Sequence, residues 1–96
     1  MLSRQVRAKV LARRGEHAEA ERHAREAVAI GEKTDMLDAQ GDTHADLAEV
    51  LLLVGEPDEA AAALEQALAR YERKGNLVST QRAQTRLVEL RDTALR

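Results

Sequence analysis

The stretch Leu47-Ala48-Glu49-Val50-Leu51-Leu52-Leu53-Val54-Gly55-Glu56-Pro57-Asp58-Glu59-Ala60 decides how this chain folds. Its first half places Leu47, Val50, Leu51, Leu52, Leu53 and Val54 in nearly every direction around a helix, so that segment must be buried on several sides. Gly55 can take the left-handed conformation that stops a helix. Pro57 then suits a first helical position, where its missing N–H costs nothing, with Asp58 and Glu59 at the positive helix end. The stretch therefore reads as helix, glycine turn, helix.

The same phrase occurs again. A shift of 40 residues lays Arg14-Gly15-Glu16 on Val54-Gly55-Glu56, Glu19-Ala20 on Glu59-Ala60, and Ala27-Val28 on Ala67-Leu68. It also lays Leu47-Ala48-Glu49-Val50 on Leu87-Val88-Glu89-Leu90. Self-similarity at a fixed period is the signature of a repeat architecture. The expectation is an all-α, right-handed array of five antiparallel helices, about two and a half helix pairs, forming one domain over residues 1–96. The first repeat covers about 3–33, the second about 36–74, and a C-terminal capping helix about 77–95.

Local signals set the boundaries. A first helix near 3–14 carries Val6, Val10 and Leu11 on one side and ends at Gly15. A second runs over about 17–32. The third, about 36–54, takes Thr34 or Asp35 as its N-cap. The fourth runs from Pro57 to Lys74, and Asn76 caps a fifth that turns Leu77, Ala83, Leu87, Leu90 and Leu95 inward. Ala20, Ala24 and Ala27 on the second helix, and Ala60, Leu64, Ala67 and Leu68 on the fourth, each make one narrow face against which a partner helix can lie close.

Composition limits what such a chain can do. Apolar residues make up 44% of the 96 residues but aromatics only 1%, so Ala and Leu fill the interior. Fifteen basic against 17 acidic residues leave a net charge of −2, without the basic excess or stacking aromatics expected of a nucleic-acid-binding surface. There is no cysteine for a disulfide or thiolate metal site. No apolar run approaches a membrane span, and a signal-peptide core is absent, which gives a cytoplasmic expectation.

Leu47-Ala48, the glycine turn, Glu59-Ala60 and Ala67-Leu68 together resemble the tetratricopeptide-repeat signature. The resemblance is close over Gly41 to Arg73 and weaker over 1–33, where Arg7 stands in the place of Leu47. The long period is similar to that of the C-terminal helical tracts of large bacterial transcription regulators and nucleotide-cyclase-type signalling proteins. Such a resemblance implies a non-catalytic module that binds a protein or peptide partner in a concave groove. The other reading is a self-assembly element that makes a homo-oligomer. No cofactor, membrane or direct nucleic-acid partner is implied.

No residue pattern points to catalysis. His17, His23 and His44 are the only histidines, without HExxH, a nucleophile elbow or a phosphate-binding glycine loop. Glu19 and His23 are spaced to share a metal, but the same spacing describes an exposed salt-linked pair. Arg4, Arg7, Arg13 and Arg14 read as a solvated face, Tyr71 as a packing residue, and His44 as a partly buried inner-face residue.

The candidate partner-binding groove comprises Lys9, Asp42, Glu49, Leu52, Leu53, Arg82 and Arg86. In the resembled fold the first helix of each pair lines the groove, and the repeat shift sets Arg82 opposite Asp42, Arg86 opposite Asp46 and Lys9 opposite Glu49. These residues either pair between repeats or grip a peptide. Some family members hold a C-terminal carboxylate with two basic side chains comparable to Arg82 and Arg86; Asp46 and Gln5 depart from that pattern. Leu52 and Leu53 are expected at the groove floor.

Overall fold

The computed structural model describes residues 3–94, which form α1 (Arg4–Arg13), α2 (His17–Glu32), α3 (Leu37–Leu53), α4 (Pro57–Lys74) and α5 (Leu77–Ala94). Among the described residues there is no strand. Leu95, expected on the inner side of the last helix, lies outside them.

Both glycine turns form as the sequence predicts. Gly15 and Gly55 sit at φ 83° and 84°. The Glu16 N–H donates to the Leu11 carbonyl at 3.0 Å, and the Glu56 N–H donates to the Leu51 carbonyl at 2.8 Å. Each bond spans five residues and satisfies a carbonyl that the ending helix would otherwise leave open, a return that requires a left-handed residue. Ser3 caps α1, its hydroxyl accepting from the Val6 N–H at 3.2 Å. Asn76 caps α5 by accepting from the Ser79 N–H at 3.1 Å.

The α2–α3 join differs from the expectation. Neither Thr34 nor Asp35 is the N-cap of α3; Met36 holds that place without a side-chain bond. Thr34 closes the turn instead: its hydroxyl donates to the Gly31 carbonyl at 2.9 Å, and its own carbonyl accepts from Gln40 Nε2 at 2.6 Å. With no glycine after Lys33 to turn left-handed, a side chain completes the turn.

Each helix packs on its neighbour in sequence, and α1 also rests on α3. The Cα envelope is a slab of 37 × 35 × 17 Å. Its core is set by small residues at repeat-related positions: Ala8 and Ala48, Ala20 and Ala60, and Ala27 and Ala67 are all buried. Leu47, Val50, Leu51 and Leu64 fill the space that the alanines leave along α3 and α4. One inward assignment is corrected: Leu77 is 73% exposed because α5 turns Ala83 and Leu87 inward.

Gly41 of α3 lies against the ring of Tyr71 of α4. A Cβ on Gly41 would stand 2.5 Å from the Tyr71 ring, inside any tolerable contact. Gly41→Ala gains about 1 kcal/mol of helix propensity but forces an overpacked ring to move, at a cost of about 1–3 kcal/mol. The variant is therefore expected to be less stable, read as a lower urea midpoint; an unchanged or raised midpoint would refute this packing.

Candidate functional site

Between α3 and α5 the slab opens into a recess of about 630 Å³. Whereas α1 lies directly on α3, α5 packs along α4 and has no comparably close approach to α3. Leu64 and Tyr71 of α4 form the floor with Ala45, Ala48 and Ala83. One wall is Asp42, Asp46 and Glu49 of α3, and the other is Ser79, Arg82, Thr85, Arg86 and Glu89 of α5. Gln5 of α1 closes one end.

The two walls differ in how their charges are satisfied. Lys9 Nζ lies 2.7 Å from Asp46 Oδ1 and 2.8 Å from Glu49 Oε2, with all three side chains about three-quarters buried or somewhat less. Burial pulls the Lys9 pKa down, but the hydrogen bonds the ammonium donates to Asp46 and Glu49, with their charges, outweigh it and leave the pKa above the ordinary lysine value. Arg13 adds a longer contact to Glu49 at 3.8 Å. Asp42 accepts from the Tyr71 hydroxyl at 2.5 Å. Burial, and then this bond to Asp42, push the phenol pKa far up, so the hydroxyl stays a donor. The α3 carboxylates are thus engaged within the protein.

Arg82 and Arg86 are not. Among the described residues no carboxylate lies within 4.0 Å of either guanidinium. The expected inter-repeat pairs Asp42–Arg82 and Asp46–Arg86 therefore do not form, while Lys9–Glu49 does. A uniform shift assumes that α5 stands to α3 as α3 stands to α1. Here it does not: α5 packs along α4, and the Tyr71 ring, lying against Gly41, lines the space left between α3 and α5.

Of the sequence-derived groove residues, Asp42, Glu49, Arg82 and Arg86 line the recess, and Lys9 ties down its acidic wall from the α1 side. Leu52 and Leu53 do not line it. At about 100° per residue, Leu52 falls beside Ala48 on the core arc of α3, where it packs against the main cluster. Leu53 shares the polar arc with Asp42, Asp46 and Glu49 but sits at the end of the helix next to the Gly55 turn, 40% exposed.

Sequence reasoning missed the role of Tyr71 and a polar junction of three helices. Glu32 Oε1, at the end of α2, lies 2.7 Å from His44 Nε2 of α3 and 3.0 Å from Arg70 of α4. The His44 hydrogen bond, with Arg70 behind it, holds the Glu32 carboxyl below its ordinary pKa against the opposing effect of burial. The available signal was His44 on an inner face, which needed an acceptor from the preceding helix. No cluster of acidic and histidine side chains fit for a metal occurs among the described residues, so the Glu19–His23 pair has no metal arrangement around it. Glu19 instead meets Arg22 at 3.4 Å.

Stacked helix pairs with a groove along one layer define a helical-repeat module. The chain belongs to the tetratricopeptide repeat family, whose sequence profile matches residues 2–73. The match takes in the first helix pair as well as the second and stops at the end of α4, leaving α5 beyond it. No curated protein and no solved structure matches the chain. Tetratricopeptide repeats generally mediate protein–protein interaction and are typically non-catalytic. No helix among the described residues is long and apolar enough to cross a membrane.

Two charge-based outcomes follow. Lys9→Met keeps the aliphatic stem but leaves Asp46 and Glu49 facing each other, and should cost about 0.5–2 kcal/mol, the sum of two partly buried pairs, with a smaller loss at high salt. An equally stable variant would show that the seam contributes nothing. For Glu32, a folded pKa below the ordinary 4.5 means that its stabilisation is fully present above pH 4.5 and is lost as pH falls through the folded value. The stability gap between the wild type and Glu32→Gln should therefore be constant near neutrality and narrow in acid; a gap that widens in acid has the wrong sign.

Proposed function

We propose that the recess between α3 and α5 is where this domain binds a peptide or helix from a regulatory protein partner, by contacts to Arg82 and Arg86 above an apolar floor. The observation that carries this reading is the unequal satisfaction of the two walls. The α3 carboxylates already have Lys9 and the Tyr71 hydroxyl as partners, whereas Arg82 and Arg86 of α5 have no carboxylate within 4.0 Å among the described residues. A partner carrying carboxylates gains charge-assisted hydrogen bonds there without displacing an internal ion pair. Leu64, Ala83 and the Tyr71 ring supply the apolar surface on which such a segment rests.

On this reading the chain acts as one non-catalytic domain of a larger bacterial regulator in the cytoplasm, and residues 77–94 supply a wall of the site as well as ending the array. Asp42 and Glu49 restrict the partner by repelling acidic groups that approach the wrong wall. Leu52 and Leu53 stay outside the contact.

The test is an NMR titration of the labelled domain with two Leu-containing peptides of equal length, one rich in Glu and one in Lys. The acidic peptide should shift Ser79, Arg82 and Arg86 resonances, and the basic one should leave them in place. Arg86→Ala should weaken the acidic peptide a few-fold, as expected for about 0.2–1 kcal/mol per exposed pair, and less so at high salt. Equal responses to the two peptides, or shifts confined to α1 and α2, would remove the recess as the binding site.

A further inference from the structure

The outer face of α5 carries a pattern that is complementary to itself. Opposite the buried Ala83 and Leu87, the residues Val78, Gln81, Thr85, Val88 and Asp92 follow at alternating intervals of three and four. That interval sequence is the seam along which two helices pack lengthwise. Val78 and Val88 are 66% and 56% exposed, and a shallow groove runs along Gln81, Thr85 and Val88.

The repeat register says what this face is not built to receive. On α3, the positions that take α4 are Gly41, Ala48 and Leu51, with Gly41 letting the Tyr71 ring come into contact. Forty residues on, the same positions of α5 are Gln81, Val88 and Arg91. Gln81 stands where the absence of a side chain was required, and Arg91 is already bonded to Glu65 of α4 at 2.7 Å. Another helix like α4 therefore has no close seat on α5.

We propose that α5 pairs antiparallel, about a two-fold axis, with α5 of a second copy of this chain. With the axis beside Ala83, Val78 meets Val88 of the second copy and Gln81 meets Thr85, each twice over. The interface is then the same patch on both chains, as a two-fold contact demands. The outer layers are complementary in charge: Asp92, at the end of the stripe, lies toward Arg73 and Lys74 of the second copy, the exposed basic pair that immediately precedes α5. The Gln81–Thr85 layers hydrogen-bond and fix the register, since a slip would set the valines against polar side chains of the stripe. A single seam of four layers falls short of the roughly 1,200–2,000 Å² of a stable interface, so the pair dissociates on dilution.

Sedimentation equilibrium over a concentration series reads the mass directly. It should rise from 10.6 kDa toward twice that value for the wild type and stay at one chain for Val88→Arg, with circular dichroism confirming an unchanged helical signal. If Val88→Arg loses helicity, Gln81→Arg interrogates the same seam. The chain has no cysteine, so introduced thiols are unique. An oxidised mixture of Val78→Cys and Val88→Cys chains should form more cross-linked dimer than either variant alone. A one-chain mass at every concentration, a dimer that survives a folded seam variant, or self-cross-linking of each thiol variant equal to that of the mixture would overturn the proposal.

Discussion

Helices of this chain can stabilise one another only by coming close, because the residues that face each other across the slab are mostly alanines. A buried alanine removes little area from water, roughly one methyl group at about 0.8 kcal/mol, so the contact must be dense along the whole helix. Ala8, Ala20, Ala48, Ala60 and Ala67 are each essentially inaccessible. Leu47, Val50, Leu51 and Leu64 gain their burial only because the alanine faces hold the backbones at a distance those side chains can span. Sharp turns at Gly15 and Gly55 serve the same constraint, since a wide turn would splay the pair that follows it.

The constraint is relaxed at one place, and the recess lies there. Position 31 of the first repeat is Gly, buried against Thr43, whose hydroxyl would stand 3.0 Å from an added Cβ. Its repeat equivalent, position 71, is the chain's only aromatic residue. Tyr71 is accommodated on the α3 side because Gly41 has no side chain, and its hydroxyl then reaches Asp42. The small residue of the first repeat thus coincides with a closed seam, and the large one of the second with an open groove that has a polar and aromatic floor.

How far the sequence reveals this depends on the range of the interaction. Gly15, Gly55, Pro57 and Asn76 act within a few residues, and their turns and caps are read directly from the chain. The buried alanines are equally legible because they recur at helical spacing and again after 40 residues. The Lys9–Glu49 contact was legible because α1 and α3 obey the repeat geometry. Arg82 and Arg86 line the recess, but the pairs that the shift predicts for them with Asp42 and Asp46 do not form, since the shift carries no information about how far α5 stands from α3. Leu52 and Leu53 look alike in a run of leucines, yet a turn of about 100° puts one in the core and the other on the polar arc. The His44–Glu32–Arg70 junction joins three helices, and no single helix pattern contains it.

The closed and open seams also bear on the proposed binding at the recess, in which charge matters although surface ion pairs usually contribute little. At the α1–α3 seam Lys9 has two carboxylate partners within bonding distance, so an arriving ligand must compete with them before it gains anything. On the α5 wall Arg82 and Arg86 have surrendered no internal bond, and they border a concave floor that partly excludes water. Field lines from such groups are focused rather than dispersed, which raises the rate at which an oppositely charged segment is captured. The α3 carboxylates, held in place by Lys9 and the Tyr71 hydroxyl, would then act chiefly on orientation: they leave an acidic segment one wall to bind and one to avoid. On the proposed reading, selectivity arises from the difference between two walls of similar sequence polarity, with the Tyr71 ring lining the space between them.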